Sequence, residues 1–168
     1  MRNVLSDFQG MLKPSLVLDD LAGDSREEIL RTMAEYLVKE GRCRRTFVEA
    51  ILARERLYPS GLPLEGPKIA IPHTDTIHVH RSALLFVRLR TPVEFASMGD
   101  PKVTFPVQLV SMFALQNDDL VGNVLQTLIT LYQRRQMLED LLRSKDAREM
   151  YQILVSAVES CQEEARCN

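Results

Sequence analysis

The hydrophobic period of this chain changes twice along its length, and that change limits the folds open to it. Residues 24–41, DSREEILRTMAEYLVKEG, read as an amphipathic helix in which Ile29, Met33, Tyr36 and Leu37 form one apolar stripe. Ser25 and Glu28 have capping-box spacing at its start, and Gly41 stands where it should stop. A second box, Thr46 to Glu49, opens TFVEAILARERLY, with Phe47, Ala50 and Ile51 on one face. Pro59, Gly61 and Pro63 then force a loop, YPSGLPLEGP.

Past that loop the pattern becomes short continuous apolar runs of strand length: PKIAI, SALLFVRL and VTFPVQLVSMFAL. In the third, Pro106 predicts that the strand proper starts after it, because proline cannot donate to a ladder. SLVLDD, at 15–20, reads as an earlier strand. Helix returns at LVGNVLQTLITLYQ, where Val121, Val124, Leu125, Leu128 and Ile129 hold a tight stripe. QMLEDLLRS reads as a short helix of its own. The last helix, DAREMYQILVSAV, is opened by Asp146 and lined by Tyr151, Leu154, Val155 and Val158. Helices before and after a strand-rich middle describe an α/β layer sandwich around a sheet of about five strands. Uninterrupted apolar strands require cover on both faces of that sheet.

Composition excludes several functions. A chain of 168 residues fits one domain with a real core and needs no disulfide staples. Its net charge of −2 and lack of Trp leave no basic footprint or stacking platform for nucleic acid. Cys43, Cys161 and Cys167 are odd in number and lack metal-ligand spacing, so they read as free thiols in a reducing compartment. The tail from 161 to 168, CQEEARCN, is polar and expected to be flexible. The N-terminus, MRNVLSDFQG, lacks a signal-peptide run, and nothing approaches the roughly 18 apolar residues of a membrane span. The expected location is the cytoplasm, without direct membrane insertion.

All three histidines lie in one stretch, IAIPHTDTIHVHRSALLF. IAI belongs to the sheet interior, and Pro72 restricts Ile71 to an extended backbone, so His73 is presented at a strand end. Functional groups gather there in α/β proteins. A histidine bonded to a nearby carbonyl is the plain structural alternative. His78 and His80 occupy the polar link to the next strand: His80, beside Arg81, reads as solvated, whereas His78 can line a pocket with Asp75 and Thr76. His73, Asp75, His78 and His80 also supply enough ligands for zinc, but their spacing matches no closed site. Arg54 and Arg56 precede the glycine-proline loop, and arginine suits bidentate contact with phosphate oxygens. A solvated charged face is the alternative for that run. No P-loop, GxSxG or catalytic-cysteine motif is present.

The segment RE-x5-SGLPL, IAIPHTD with HV after it, TPVEFASMGD and VQLVSMFAL together resemble the IIA components of the bacterial phosphotransferase sugar-uptake system. The resemblance is to the mannitol/fructose-type class, within it to galactitol-specific IIA proteins, and runs from SLVLDDL to YQILVSA. It implies a single α/β/α sandwich domain over 1–168 with a mixed sheet, and a phosphotransferase role that uses no cofactor. The implied phosphoacceptor is His73, loaded by phospho-HPr and unloaded onto a cysteine of a IIB partner, which serves a membrane IIC. Arg54 matches the arginine that looks after phosphate charge, and Thr74 matches the small residue after the histidine, where its hydroxyl would orient the ring or the phosphoryl group. The family's second histidine, at the start of the helix after the fourth strand, is missing from ALQNDDLVGNVL; His78 is the candidate for its supporting place. No IIB cysteine loop or IIC segment is found, so the chain reads as a free-standing IIA. Galactitol or a related carbohydrate is the implied cargo. A regulatory IIA-like phosphoprotein and a zinc-dependent enzyme are the alternatives. Met98, Leu62 and Val79 are the expected apolar surface around His73.

Overall fold

The computed structural model describes residues 8 and 10–167. In chain order it contains β1 (Val17–Leu21), α1 (Arg26–Lys39), α2 (Thr46–Leu57), β2 (Gly61–Leu62), β3 (Ile69–Ala70), β4 (Ala83–Ala96) and β5 (Thr104–Ala114). Three helices follow: α3 (Asp118–Tyr132), α4 (Arg135–Arg143) and α5 (Ala147–Cys167). The sheet runs β1-β4-β5-β3-β2. It is mixed: β1 is parallel to β4, β4 antiparallel to β5, β5 parallel to β3, and β3 antiparallel to β2.

Both faces are covered, as the apolar runs require. One face carries α1 and α2, where Ile29, Met33, Leu37, Phe47 and Ile51 pack against Leu85, Val87 and Val110. The other carries α3, α4 and α5, where Val124, Leu128, Leu141, Met150 and Leu154 pack against Ile69, Phe86 and Leu109. Adjacent strand residues alternate between the two cores, so neither face of the central strands is left polar. The chain is an α/β/α sandwich with five strands.

Several local expectations need revision. Ser25 caps α1 by accepting from the Glu28 N–H at 3.2 Å, and Gly41 has φ +70°, the left-handed stop that glycine favours. Thr46, by contrast, is the first helical residue of α2 and caps nothing; Arg45 precedes it without a side-chain cap. Its hydroxyl is taken by His78 instead. Pro106 lies inside β5, not before it. On β5, β3 pairs only with Leu109 and Val110, so near Pro106 that side of β5 has no ladder to interrupt. The hairpin strand β4 extends through TPVEFA, well past the apolar run that signals it. At the C-terminus helix continues through Cys167, with Cys161 packed on the core and Arg134 paired to Glu164 at 2.8 Å. Cys43, Cys161 and Cys167 are all free thiols, and burial pushes Cys43 up to about 12. Among the described residues no helix is long and apolar enough to cross a membrane.

Candidate functional site

β3 stops at Ala70 while its parallel neighbour β5 runs on to Ala114, and the candidate site lies just past the end of β3. Ile71 N–H donates to the Ser60 carbonyl at 3.0 Å, and Phe113 N–H donates to the Pro72 carbonyl at 3.2 Å. The Ile71–Pro72 segment is thereby pinned between the loop before β2 and the last residues of β5. His73 follows it, partly buried. Its ring stacks on Phe113, with centroids 4.4 Å apart and planes 18° from parallel. Its Nδ1 lies 3.1 Å from the Ile71 carbonyl. A carbonyl only accepts, so Nδ1 carries the proton and Nε2 is the bare nitrogen of the neutral ring. Burial lowers the His73 pKa below 6.5 and Arg54 adds to the drop, while the Ile71 carbonyl and Asp75 oppose it. The ring is therefore neutral at physiological pH.

The two arginines of ARERLY part company. Arg54 reaches the His73 side of α2, packs over the Tyr58 ring at 5.2 Å and approaches Asp75 at 3.8 Å. Arg56 turns to Glu27 of α1 at 3.1 Å. Of the two, only Arg54 lies on the His73 side. Its partner Asp75 is well exposed, and a pair of this kind contributes ~0–1 kcal/mol, so the guanidinium can be drawn away to a stronger anion.

Thr74 is buried directly after His73. His78 takes a different position from the one its spacing suggests. Its Nδ1 is 2.9 Å from the Thr46 hydroxyl, its carbonyl accepts from Arg44 N–H at 2.8 Å, and the next residue bridges to Cys43. His78 thus fastens the loop after His73 to the start of α2. His80 is exposed, its amide bonded to the Arg42 carbonyl at 2.8 Å. Thr76, between these groups, donates to Asp118 at the start of α3, so the segment without the second histidine does border the His73 loop. There it presents a carboxylate.

Among the described residues no three His, Cys, Asp or Glu side chains are grouped to hold a metal ion. The His73, Asp75, His78 and His80 set is divided between an arginine, a threonine and solvent. Nor do Leu62 and Val79 face outward: both are buried, in the second and first cores respectively. Of the three expected surface residues Met98 alone is open, and Leu57, Tyr58 and Ile77 supply the larger exposed apolar groups. Leu57 and Tyr58 end the helix that carries Arg54, and Ile77 lies four residues after His73.

Sequence reasoning missed two residues in this neighbourhood. Phe113 had no signal, because both faces of β5 are apolar and the pattern cannot say which side meets His73. Glu55 had one. It continues the Phe47–Ile51 series at four-residue spacing, which places a carboxylate on the buried stripe of α2. The structure buries it, with Oε1 accepting from Ser60 N–H at 3.1 Å. Gly61 beside it is required by space: a Cβ there would come within 2.5 Å of the Ala96 carbonyl.

Residues 10–157 match the family described as "Phosphoenolpyruvate-dependent sugar phosphotransferase system, EIIA 2". The galactitol-specific EIIA component of Escherichia coli is 30% identical over 117 residues, which is 70% of this chain and 77% of that protein. A nitrogen regulatory protein of Bradyrhizobium diazoefficiens is 27% identical over 145 residues, 86% of this chain and 92% of that one. Among solved structures, the mannitol IIA of Escherichia coli superposes with a TM-score of 0.70 at 25% identity, covering 85% of this chain and 98% of the other. The motif residues, the five-strand sandwich and this match along most of the length agree: the chain belongs to the phosphoenolpyruvate-dependent sugar phosphotransferase system EIIA 2 family.

Proposed function

We propose that this chain is the phosphocarrier of a sugar or polyol uptake system, loaded by phospho-HPr at His73 and unloaded onto a cysteine of its IIB partner, which hands on to a membrane IIC. The observation that carries this reading is the single bond from His73 Nδ1 to the Ile71 carbonyl. It leaves Nε2 as the nucleophile on a ring that Phe113 holds from its face. The Nε2 lone pair forms the new N–P bond as the N–P bond in phospho-HPr breaks, and HPr keeps the released ring. With both of its nitrogens substituted, the His73 ring then carries positive charge that the Ile71 carbonyl stabilises. A ring in that state is a good leaving group, so a IIB thiolate can attack phosphorus and return His73 to its neutral form. Little covalent help is needed, and catalysis consists of positioning and charge stabilisation. Arg54 supplies the charge, leaving Asp75 for the phosphoryl oxygens, and the Thr74 hydroxyl orients the group. Leu57, Tyr58 and Ile77 give the shallow apolar rim on which successive partners dock.

The likeness to the galactitol-specific protein supports galactitol or a related carbohydrate as the cargo of the system. A regulatory role is the second reading, favoured by the nitrogen regulatory relative, which is matched over more of both chains. A chase decides between them. Protein loaded from phospho-HPr is mixed with a galactitol-type IIB, and the transport reading expects label to leave His73 for the IIB cysteine within seconds to minutes. Loaded protein that retains its label against IIB would favour the regulatory reading.

A further inference from the structure

We propose that Glu55 is a positioning residue that sets the tautomer of His73 through a three-bond chain across the β2–β3 edge. The proposal rests on the reading of His73 as phosphoacceptor. The chain runs from Glu55 Oε1 to Ser60 N–H at 3.1 Å, from the Ser60 carbonyl to Ile71 N–H at 3.0 Å, and from the Ile71 carbonyl to His73 Nδ1 at 3.1 Å. Each of the first two bonds holds the N–H of a residue whose own carbonyl accepts the next. Ser60 is itself buried, so without Glu55 its N–H would lose its acceptor and the residue would be free to shift. Movement of Ser60 shifts the carbonyl that Ile71 N–H needs, and movement of Ile71 shifts the carbonyl that holds the His73 proton.

Packing alone does not explain a carboxylate here. Phe47 and Ile51, earlier on the same stripe, are fully buried and apolar, and an aliphatic side chain would extend that core without the burden of desolvating a carboxyl. Burial does raise the Glu55 pKa, with Ser60 and Arg26 opposing. Glu55 accepts from the Ser60 backbone N–H, and the Ser60 side chain lies near enough to oppose the rise in the Glu55 pKa, so the carboxyl meets Ser60 from both its backbone and its side chain. Gly61, pressed against the Ala96 carbonyl, fixes the other end of the same short segment. Ser60 is therefore located from both sides, by a carboxylate before it and by β4 after it.

The test compares wild type with Glu55→Gln, Glu55→Met and Glu55→Asp. Gln keeps an acceptor at the same reach, Met keeps the volume without one, and Asp keeps the charge but falls one methylene short. Nitrogen-15 NMR of unphosphorylated protein reads the His73 tautomer, and transfer from phospho-HPr is followed at varied HPr concentration. Wild type and Glu55→Gln are expected in the Nδ1–H form with rates within about threefold, since both hold the Ser60 peptide. Glu55→Met and Glu55→Asp are expected to mix tautomers and to lose on the order of 10- to 100-fold in maximal rate, with half-saturation unchanged. If Met prevents folding, Asp decides. A tautomer and rate equal to wild type in the folded Met or Asp variant overturns the proposal, even with a lower Tm, and so does a Gln variant as impaired as they are. The NMR arm needs no phosphate: should wild type accept none, the functional reading fails while the effect of Glu55 on the ring is still decided.

Discussion

His73 and Phe113 stack with their rings 4.4 Å apart and 18° from parallel, so the last residues of β5 hold the face of the imidazole while the Ile71 carbonyl holds its edge. Two constraints at right angles leave the ring little freedom to rotate.

Phe113→Leu removes the first constraint and keeps most of the buried volume. An aromatic pair of this kind is worth ~0.5–1.5 kcal/mol, so transfer should slow about three- to tenfold. Single-turnover transfer from phospho-HPr reads the change. An unaltered rate would mean that the Ile71 bond alone orients the ring.

Arg54→Gln should slow phosphotransfer by about 10²–10³, the usual loss for one preorganised donor, with little change in Tm because the Arg54 contacts, with Asp75 and with the Tyr58 ring, are to exposed groups. It has a second consequence. Arg54 lowers the His73 pKa, so its removal should raise that pKa, whereas Asp75→Asn should lower it further. Nitrogen-15 titration of His73 in both variants checks the signs, and shifts in one common direction would place Arg54 outside the site.

The pH dependence follows from the same ring. Nε2 must be unprotonated to attack, and folding moves the His73 pKa below 6.5, chiefly through burial. Acceptance of phosphate should therefore persist down to pH 6.5 and fall away below it. In stability the sign is the same: the unfolded chain takes up the proton first, so the contribution of His73 is complete above 6.5 and declines as pH falls toward the folded pKa. A rate that halves at or above pH 6.5 would contradict a buried, Arg54-flanked ring.

His78→Ala separates support of phosphate from support of the loop. The Thr46 hydroxyl and Arg44 amide tie His78 to the start of α2, so the variant should lose stability, by about 1 kcal/mol for one net hydrogen bond. Transfer to IIB by the folded protein should change less than threefold. His80→Ala, on an exposed side chain, should change neither. Transfer slowed tenfold in His78→Ala at unchanged Tm would restore His78 to the phosphate itself.

The layered fold was legible because its cause is periodic. The Ile29–Met33–Leu37 stripe and the continuous runs around Ile69, Leu85 and Val110 each specify an element and the number of its covered faces. The elements that escaped are those without a period. β2 is two residues inside a proline-glycine loop, held by pairing with Ala70 and Ile69. His73 and Arg54 stand out in a motif, but the bond that holds the His73 ring runs to the backbone carbonyl of Ile71, where side-chain identity gives no signal. The Thr46–Glu49 spacing misled for a related reason. A capping hydroxyl and a hydroxyl taken by a distant histidine look alike until the loop bearing His78 is folded against it.

The central claim is that His73 alone carries phosphate, on Nε2. Incubating the protein with phosphoenolpyruvate, enzyme I and HPr, then locating the label by mass spectrometry and phosphorus-31 NMR, tests it most directly. The account predicts one phosphoryl group per chain, on His73 Nε2, and none in a folded His73→Ala variant. Full labelling of that variant, or phosphate found on Nδ1 or on His78, would contradict it.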